Sequence, residues 1–342
     1  MSYKNIQSNY SGIWIIAEHE NNAVLPGTYE LLSRGTKLAK ERNTELTAVL
    51  IGGNFDENIL LNLLSSGADK ILIAEHKLLD HFLVETYSKA LVELINKYSP
   101  EIIISAATTA GRTLMPYVAM KIHAGITADC TELKIEESTG LLLQTRPAIG
   151  GNIMATIKTP VYKPQIATVR TSSSLQVKLD SSDNINLESK LTVYSPNFSS
   201  EHIRTEFLKL TPYDDIINIQ DANIVVSVGK GIKKAENIKI VREFADSIGA
   251  AIGASREVID RGWLSYSHQV GLSGKTISPD LYIALGISGA IQHLAGMQTS
   301  KNIIAVNKDP DAHIFEIADF GIVGDLFEVI PHLTDLIKNN VK

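Results

Sequence analysis

Short apolar runs recur along the first part of the chain, and stretches with helical spacing separate them. Residues 12–18, 46–51, 70–74 and 101–106 read as buried strands. Between them, residues 26–42 set Leu31, Leu32, Leu38 and Ala39 on one helical face. Residues 56–66, 80–98 and 109–122 continue as helices, the second stopped by Pro100. Strands alternating with helices predict a parallel sheet covered on both faces.

From Thr131 the rhythm changes. Residues 131–136, 141–148, 152–159 and 165–170 are short and rich in Thr, Ile and Val, and they predict β-structure added to the α/β unit. Residues 180–200 are polar and read as a long, weakly structured connection, with a last strand at 203–210. A second α/β unit then begins. Its apolar runs at 224–228, 250–252, 281–285 and 303–306 each end in glycine or a polar residue. Helices are expected at 235–248 and 325–338. The expected class is α/β with two domains, residues 1–212 and 213–342. The second is expected to be doubly wound. In such sheets ligands bind beyond the carboxyl ends of the strands, which places chemistry between residues 229 and 325.

Composition narrows that chemistry. The 342 residues carry 32 basic and 38 acidic side chains, a net charge of −6, which excludes a generally basic nucleic-acid binder. Cys130 is the single cysteine, so an internal disulfide, a Cys-rich zinc site and a Cys-ligated iron–sulfur cluster are all excluded. The histidines show no metal-ligand spacing, and no metal is expected. Redox work would need a borrowed group. No run approaches the ~18 apolar residues of a membrane span, and the polar start lacks a signal-peptide core, so a cytoplasmic location is expected.

Three glycine-rich stretches approach known motifs and miss them. Gly229-Lys230-Gly231 begins like G-x-G-x-x-G, but the third position is Lys234. The reading is divided between a plain glycine turn and a phosphate-facing one. Gly271 to Thr276 resembles a Walker loop, but Gln269 stands where its first glycine belongs. Gly286-Ile287-Ser288-Gly289 lacks the spacing of a nucleophile elbow and has no triad to go with it. It reads instead as a helix start offering N–H donors to an anion. His293 follows in the same segment. Ser255, Arg256, Asn307, Lys308, Asp309 and Asp325 stand at other strand ends, a set that suits a nucleotide.

Longer stretches of the second unit carry a resemblance. GISGAIQHLAGM (286–297), IIAVNKDPDAHIFEIADFGIVGDL (303–326), GASR (253–256) and QVGLSGK (269–275) closely resemble the electron-transfer flavoprotein alpha subunit. GITADCTEL (125–133) extends the likeness to the first domain. The resemblance implies one FAD in the second domain and a beta subunit as partner on the first. It implies single-electron transfer with an acyl-CoA dehydrogenase type of flavoenzyme, with no catalytic residue of the chain's own. Some relatives work in NADH-dependent bifurcating complexes.

By motif, Arg256 matches an arginine over the isoalloxazine ring. Ser273 replaces a threonine facing flavin N5, and His293 matches a histidine at the O2 and N1 edge. Gly286, Ser288, Gly289 and Gln292 match the turn around the phosphates and ribityl chain. Lys230 holds a position usual for arginine. Ser255, Gln269, Gly271, Gly274, Asn307 and Asp325 match positions lining the flavin or adenosine. Reduction by one electron brings negative charge near N1 and O2. An opposite charge at ~4 Å is worth about 4 kcal/mol at an effective dielectric near 20, on the order of 170 mV as an upper figure. Arg256 supplies a permanent charge, while His293 supplies a charge or only a donor, depending on its protonation. The alternatives from other classes are a nucleotide-dependent dehydrogenase and a nucleotide-sensing module. Neither has a complete fingerprint or an acid–base pair here.

Overall fold

The computed structural model describes residues 10–20, 23–53, 55–148, 153–171, 186–199, 203–209, 219–220 and 222–340. They form two compact units, the first within residues 1–148 and 153–210, the second within 211–342.

The first unit opens with β1 (Ile13–Ala17) and a small antiparallel pair, β2 (His19–Glu20) and β3 (Ala23–Val24). There follow α1 (Pro26–Arg42), β4 (Leu46–Ile51), α2 (Glu57–Ser65) and β5 (Lys70–Ala74). Then come α3 (Val84–Tyr98), β6 (Ile102–Ala106) and α4 (Thr109–Lys121). The remaining strands are β7 (Ile126–Cys130), β8 (Glu132–Ile135), β9 (Leu142–Pro147), β10 (Met154–Ile157), β11 (Gln165–Val169) and β12 (Leu191–Tyr194). Seven strands form a sheet in the order β12-β5-β4-β1-β6-β11-β7, every pair parallel. Alternate side chains divide between its faces. Ile13, Ile15 and Leu46 pack with Leu31 and Leu63 of α1 and α2, while Trp14, Ile16 and Val49 pack with Leu91 and Met115 of α3 and α4.

Four sequence expectations change here. Residues 165–170 join the parallel sheet as β11 rather than the added β-structure, which comprises β8, β9 and β10 alone. The polar connection 180–200 ends in a strand, β12, parallel to β5. Residues 203–209 form no strand. Side chains hold them instead, Arg204 on Glu85 at 2.8 Å and Phe207 stacked on His81. The helix expected from residue 80 starts at Val84, because residues 77–79 form a separate 3-10 turn whose Leu78 N–H donates to His76 Nδ1.

The second unit runs β13 (Ile224–Val228), α5 (Ile238–Ser247), β14 (Ala251–Ala254) and α6 (Arg256–Asp260). It continues with β15 (Leu281–Leu285), α7 (Ile291–Leu294), β16 (Ile303–Asn307), β17 (Phe320–Val323) and α8 (Leu326–Asn340). The five strands are parallel in the order β14-β13-β15-β16-β17. Val226, Ile283 and Leu285 face Val241, Phe244 and Ile330 of α5 and α8. On the other face Val225, Tyr282 and Ala284 pack against Val270, Ile287 and Met297. The fold is therefore doubly wound α/β, as the alternation of runs predicts. β17 is an addition to the sequence reading: its exposed Phe320 and Val323 give no buried apolar run. The helix expected to open at Gly286 is a turn followed by the single helical turn of α7. Among the described residues, no helix is long and apolar enough to cross a membrane.

Candidate functional site

Strand order in the second unit reverses between β13 and β15, since β13 leads outward to β14 and the chain then returns to β13's other side. A crevice at the carboxyl ends is expected at such a point. Two glycine turns meet there. Gly231 N–H donates to Gly286 O at 3.1 Å, and Gly229 N–H to Leu285 O at 2.9 Å. A methyl group on Gly229 would overlap the Gly286 carbonyl oxygen and come within 2.8 Å of its carbon and of Ile287 Cα. Gly286 itself has φ +64°, a left-handed conformation that favours glycine. Gly289, at φ +88°, lies against the backbone of His313 and Ile314.

The turn after β15 has an unusual backbone. Among the described residues, the N–H groups of Ser288, Gly289, Ala290, Ile291 and Gln292 find no acceptor within the chain. Consecutive unpaired amides form a concavity for an anion. Asn307 steadies that turn. Its Nδ2 donates to Ile287 O at 2.9 Å, and its Oδ1 accepts from Asp309 N–H. The Ser288 carbonyl accepts from Ile314 N–H at 3.1 Å.

A second loop closes the other side. Val270 N–H donates to Ala254 O at the end of β14, and Leu272 N–H to Gln292 O at 2.7 Å. Gln269 is buried, and its Nε2 donates to Ser273 Oγ at 3.0 Å. Gly274 folds back on Gln269, and Gly271, at φ +144°, on Gln292. Tyr266, Leu272 and Ile291 stand exposed on these segments, an apolar margin beside the unpaired amides.

The charged residues rim the edge. Arg256 is 72% exposed in its side chain and lies 3.3 Å from Asp260. Lys230 reaches Glu257, next to Arg256, at 3.5 Å. Ser255 N–H donates to Val228 O, tying β14's end to β13. Asp325 accepts from Lys308 at 2.5 Å and from Phe327 N–H. That lysine, with the backbone bond, holds its carboxyl below the usual aspartate range. Lys230, Ser255, Arg256, Gly286, Ser288, Gly289, Gln292, Asn307 and Asp325 thus stand at or just beyond the carboxyl ends of the strands, and the loop with Gln269, Gly271, Ser273 and Gly274 joins them through Val270 and Leu272.

His293 is enclosed between α7, β15 and the loop that follows β14. It is 6% exposed, its Nε2 lies 2.8 Å from Tyr282 Oη, and its Nδ1 lies 3.1 Å from Val270 O. Burial pushes its pKa down to about 4, against a smaller opposing effect of the Val270 bond. Burial thus favours the neutral ring, and both nitrogens are engaged within the chain. Sequence reasoning missed Tyr282. Its only signal is one hydroxyl in the apolar run LYIAL.

The comparisons with known proteins point the same way. The sequence profile described as electron transfer flavoprotein domain matches residues 13–186, and that of the electron transfer flavoprotein FAD-binding domain matches residues 218–298. The electron transfer flavoprotein subunit alpha of Thermoanaerobacterium thermosaccharolyticum is 46% identical over 97% of this chain and 99% of its own.

The chain belongs to the electron-transfer flavoprotein alpha-subunit family.

An acryloyl-CoA reductase electron transfer subunit beta of Anaerotignum propionicum is 39% identical over 97% of this chain and 96% of its own. The lactate dehydrogenase (NAD(+),ferredoxin) subunit LctC of Acetobacterium woodii is 38% identical over 97% and 78%. The second unit is the family's FAD-binding domain, and the chain is an electron-transferring subunit that pairs with a beta subunit. The residues present fit FAD: five unpaired amides suit its diphosphate, glycine turns admit close approach, and an apolar margin suits a flat ring.

Proposed function

We propose that one FAD lies along the carboxyl edge of β13, β14 and β15, and that the chain passes electrons singly, in the cytoplasm. Its proposed partners are a flavin dehydrogenase of the acyl-CoA dehydrogenase type and a further redox protein. The observation that carries this reading is the run of unpaired amides from Ser288 to Gln292 at the strand reversal.

When bound, FAD supplies the reversible electron uptake that the side chains lack. The amides of 288–292 bind the diphosphate, with Lys230 adding charge nearby. Gly271 and Gly274 shape the loop that carries Ser273. Ser273 Oγ accepts from Gln269, which leaves its own proton free to donate, and by the family resemblance flavin N5 would be its acceptor. Arg256 sets a permanent positive charge at the ring. Ser255 and Gln292 complete the lining, and Asn307 and Asp325 hold the far side. His293 acts as a neutral group. Residues 1–212 offer the surface for the beta subunit. Ile153, Met154, Val161 and Tyr162 stand exposed there, and they support that placement.

The LctC relative's name supports a second reading, membership of an NADH-dependent bifurcating complex. Coexpression with the beta subunit separates the two. One FAD per heterodimer and slow NADH reduction fit a simple carrier, and two FAD with fast reduction fit bifurcation. A colourless heterodimer that takes up no added FAD would overturn both.

A further inference from the structure

We propose that Tyr282 is a positioning residue for the FAD loop. The Val270 carbonyl fixes one tautomer of His293, and the Tyr282 hydroxyl holds that ring in place so that it ties the loop to the sheet. Val270 O is a carbonyl and can only accept, so His293 Nδ1 must carry the hydrogen. A neutral ring then has its lone pair on Nε2, and the Tyr282 hydroxyl donates to it at 2.8 Å. The opposite tautomer would set a lone pair against the Val270 carbonyl. Tyr282 is 0% exposed and Val270 2%, so no water substitutes for either bond.

The link joins three separate segments. Tyr282 lies inside β15, with Val225 and Ala284 beside it in the same cluster. His293 lies in α7. Val270 begins the loop that carries Ser273 and pairs with Lys275 across the loop's neck. Leu272 N–H to Gln292 O is the only other backbone bond between that loop's tip and α7 among the described residues. Removing the hydroxyl leaves a buried ring lone pair unpaired and loosens Val270 with the turn behind it.

The inference rests on the proposed FAD site for its consequence, though not for its geometry. Two measurements on the full chain, coexpressed with its beta subunit, test it. Nitrogen NMR of ¹⁵N-histidine protein, with the His293 signals assigned from a His293→Asn variant, should show a neutral ring protonated on Nδ1. The pattern should hold between about pH 6 and 8. Tyr282→Phe should shift the Nε2 resonance as that nitrogen loses its hydrogen bond, and raise the FAD dissociation constant roughly tenfold. A wild-type ring protonated on both nitrogens, or on Nε2 alone, would overturn the proposal. So would a Tyr282→Phe protein with an unchanged ring pattern and unchanged FAD affinity. The wild-type spectrum decides the tautomer even where the variant folds poorly. Wild-type protein that takes up no FAD sinks the cofactor site alone, and the Nε2 shift between wild type and Tyr282→Phe then still decides the role of Tyr282.

Discussion

In each unit the strand order reverses beside the first long strand, between β1 and β6 in one and between β13 and β15 in the other. The two crevices are furnished in opposite ways. In the first, Glu18 follows β1, and Thr108 Oγ1 lies 2.8 Å from both of its carboxylate oxygens. Thr108 also caps α4 by accepting from Gly111 N–H. A methyl on Gly111 would overlap the Ala106 carbonyl oxygen and come within 3.1 Å of Glu18 Oε1, so helix and strand are in close contact. The remaining cavity, about 200 Å³, is lined by Ile16, Tyr87 and Leu114 together with the acidic Glu18 and Glu20. An anion entering it would meet a carboxylate at the helix start. In the second unit the matching place has glycines, unpaired amides and basic side chains. One architecture provides two equivalent places, and a few residues at the strand ends decide which takes an anionic ligand.

The sharpest way to break this contrast is to fill the second crevice. Gly229→Ala sets a methyl on the backbone of Gly286 and Ile287, a collision that needs the two turns to part. FAD affinity should fall more than about 100-fold, since misplacing several anion donors costs on the order of 3 kcal/mol. Titration of the coexpressed protein with FAD measures it, and near-normal affinity would show that the two turns do not form the cradle.

A medium effect separates the units by pH. His293 titrates near 4 in the fold and near 6.5 unfolded, so the unfolded chain gains the proton first. Stability should fall as pH drops through that window, by up to roughly 3 kcal/mol. Glu18 carries the opposite sign. Burial raises its carboxyl, against the Thr108 and Ser105 hydrogen bonds, so its contribution is full in acid and is lost as pH rises through the raised value. Denaturant unfolding at several pH values should show a flatter acid limb for His293→Gln. For Glu18→Gln, stability relative to wild type should be greater at neutral pH than in acid. An acid limb unchanged by His293→Gln would contradict the first, and a relative gain confined to acid the second.

The smallest expected effect concerns charge. Arg256 is largely exposed and shares Asp260, so solvent screens it. Arg256→Ala should lower the flavin potential by roughly 30–60 mV. Spectroelectrochemical titration reads this directly, and an unchanged potential would remove Arg256 from the ring.

Much of this was legible in the sequence, for identifiable reasons. Buried parallel strands such as Lys70–Ala74 and Leu281–Leu285 are continuous apolar runs, and their bounds can be read directly. Strands half open to solvent escaped: β7 includes Thr127 and Asp129, and β17 exposes Phe320. Residues 203–209 misled because their alternating pattern is satisfied by side chains from elsewhere, Glu85 and His81. At the site, the glycines and strand-end polar residues were visible because their types are rare among Ile and Leu. The state of His293 was not, because it depends on Tyr282 and Val270, eleven and 23 residues away. Nor was the closed state of the first crevice, where Glu18 meets Thr108 across 90 residues.

Hydrogen–deuterium exchange of the heterodimer, FAD-loaded against FAD-stripped, tests the contrast most directly. Loading should slow exchange in peptides covering residues 286–292 and 270–274, and leave residues 105–111 at the end of β6 unchanged. Protection at 105–111, or none at 286–292, would contradict the assignment of FAD to the second crevice alone.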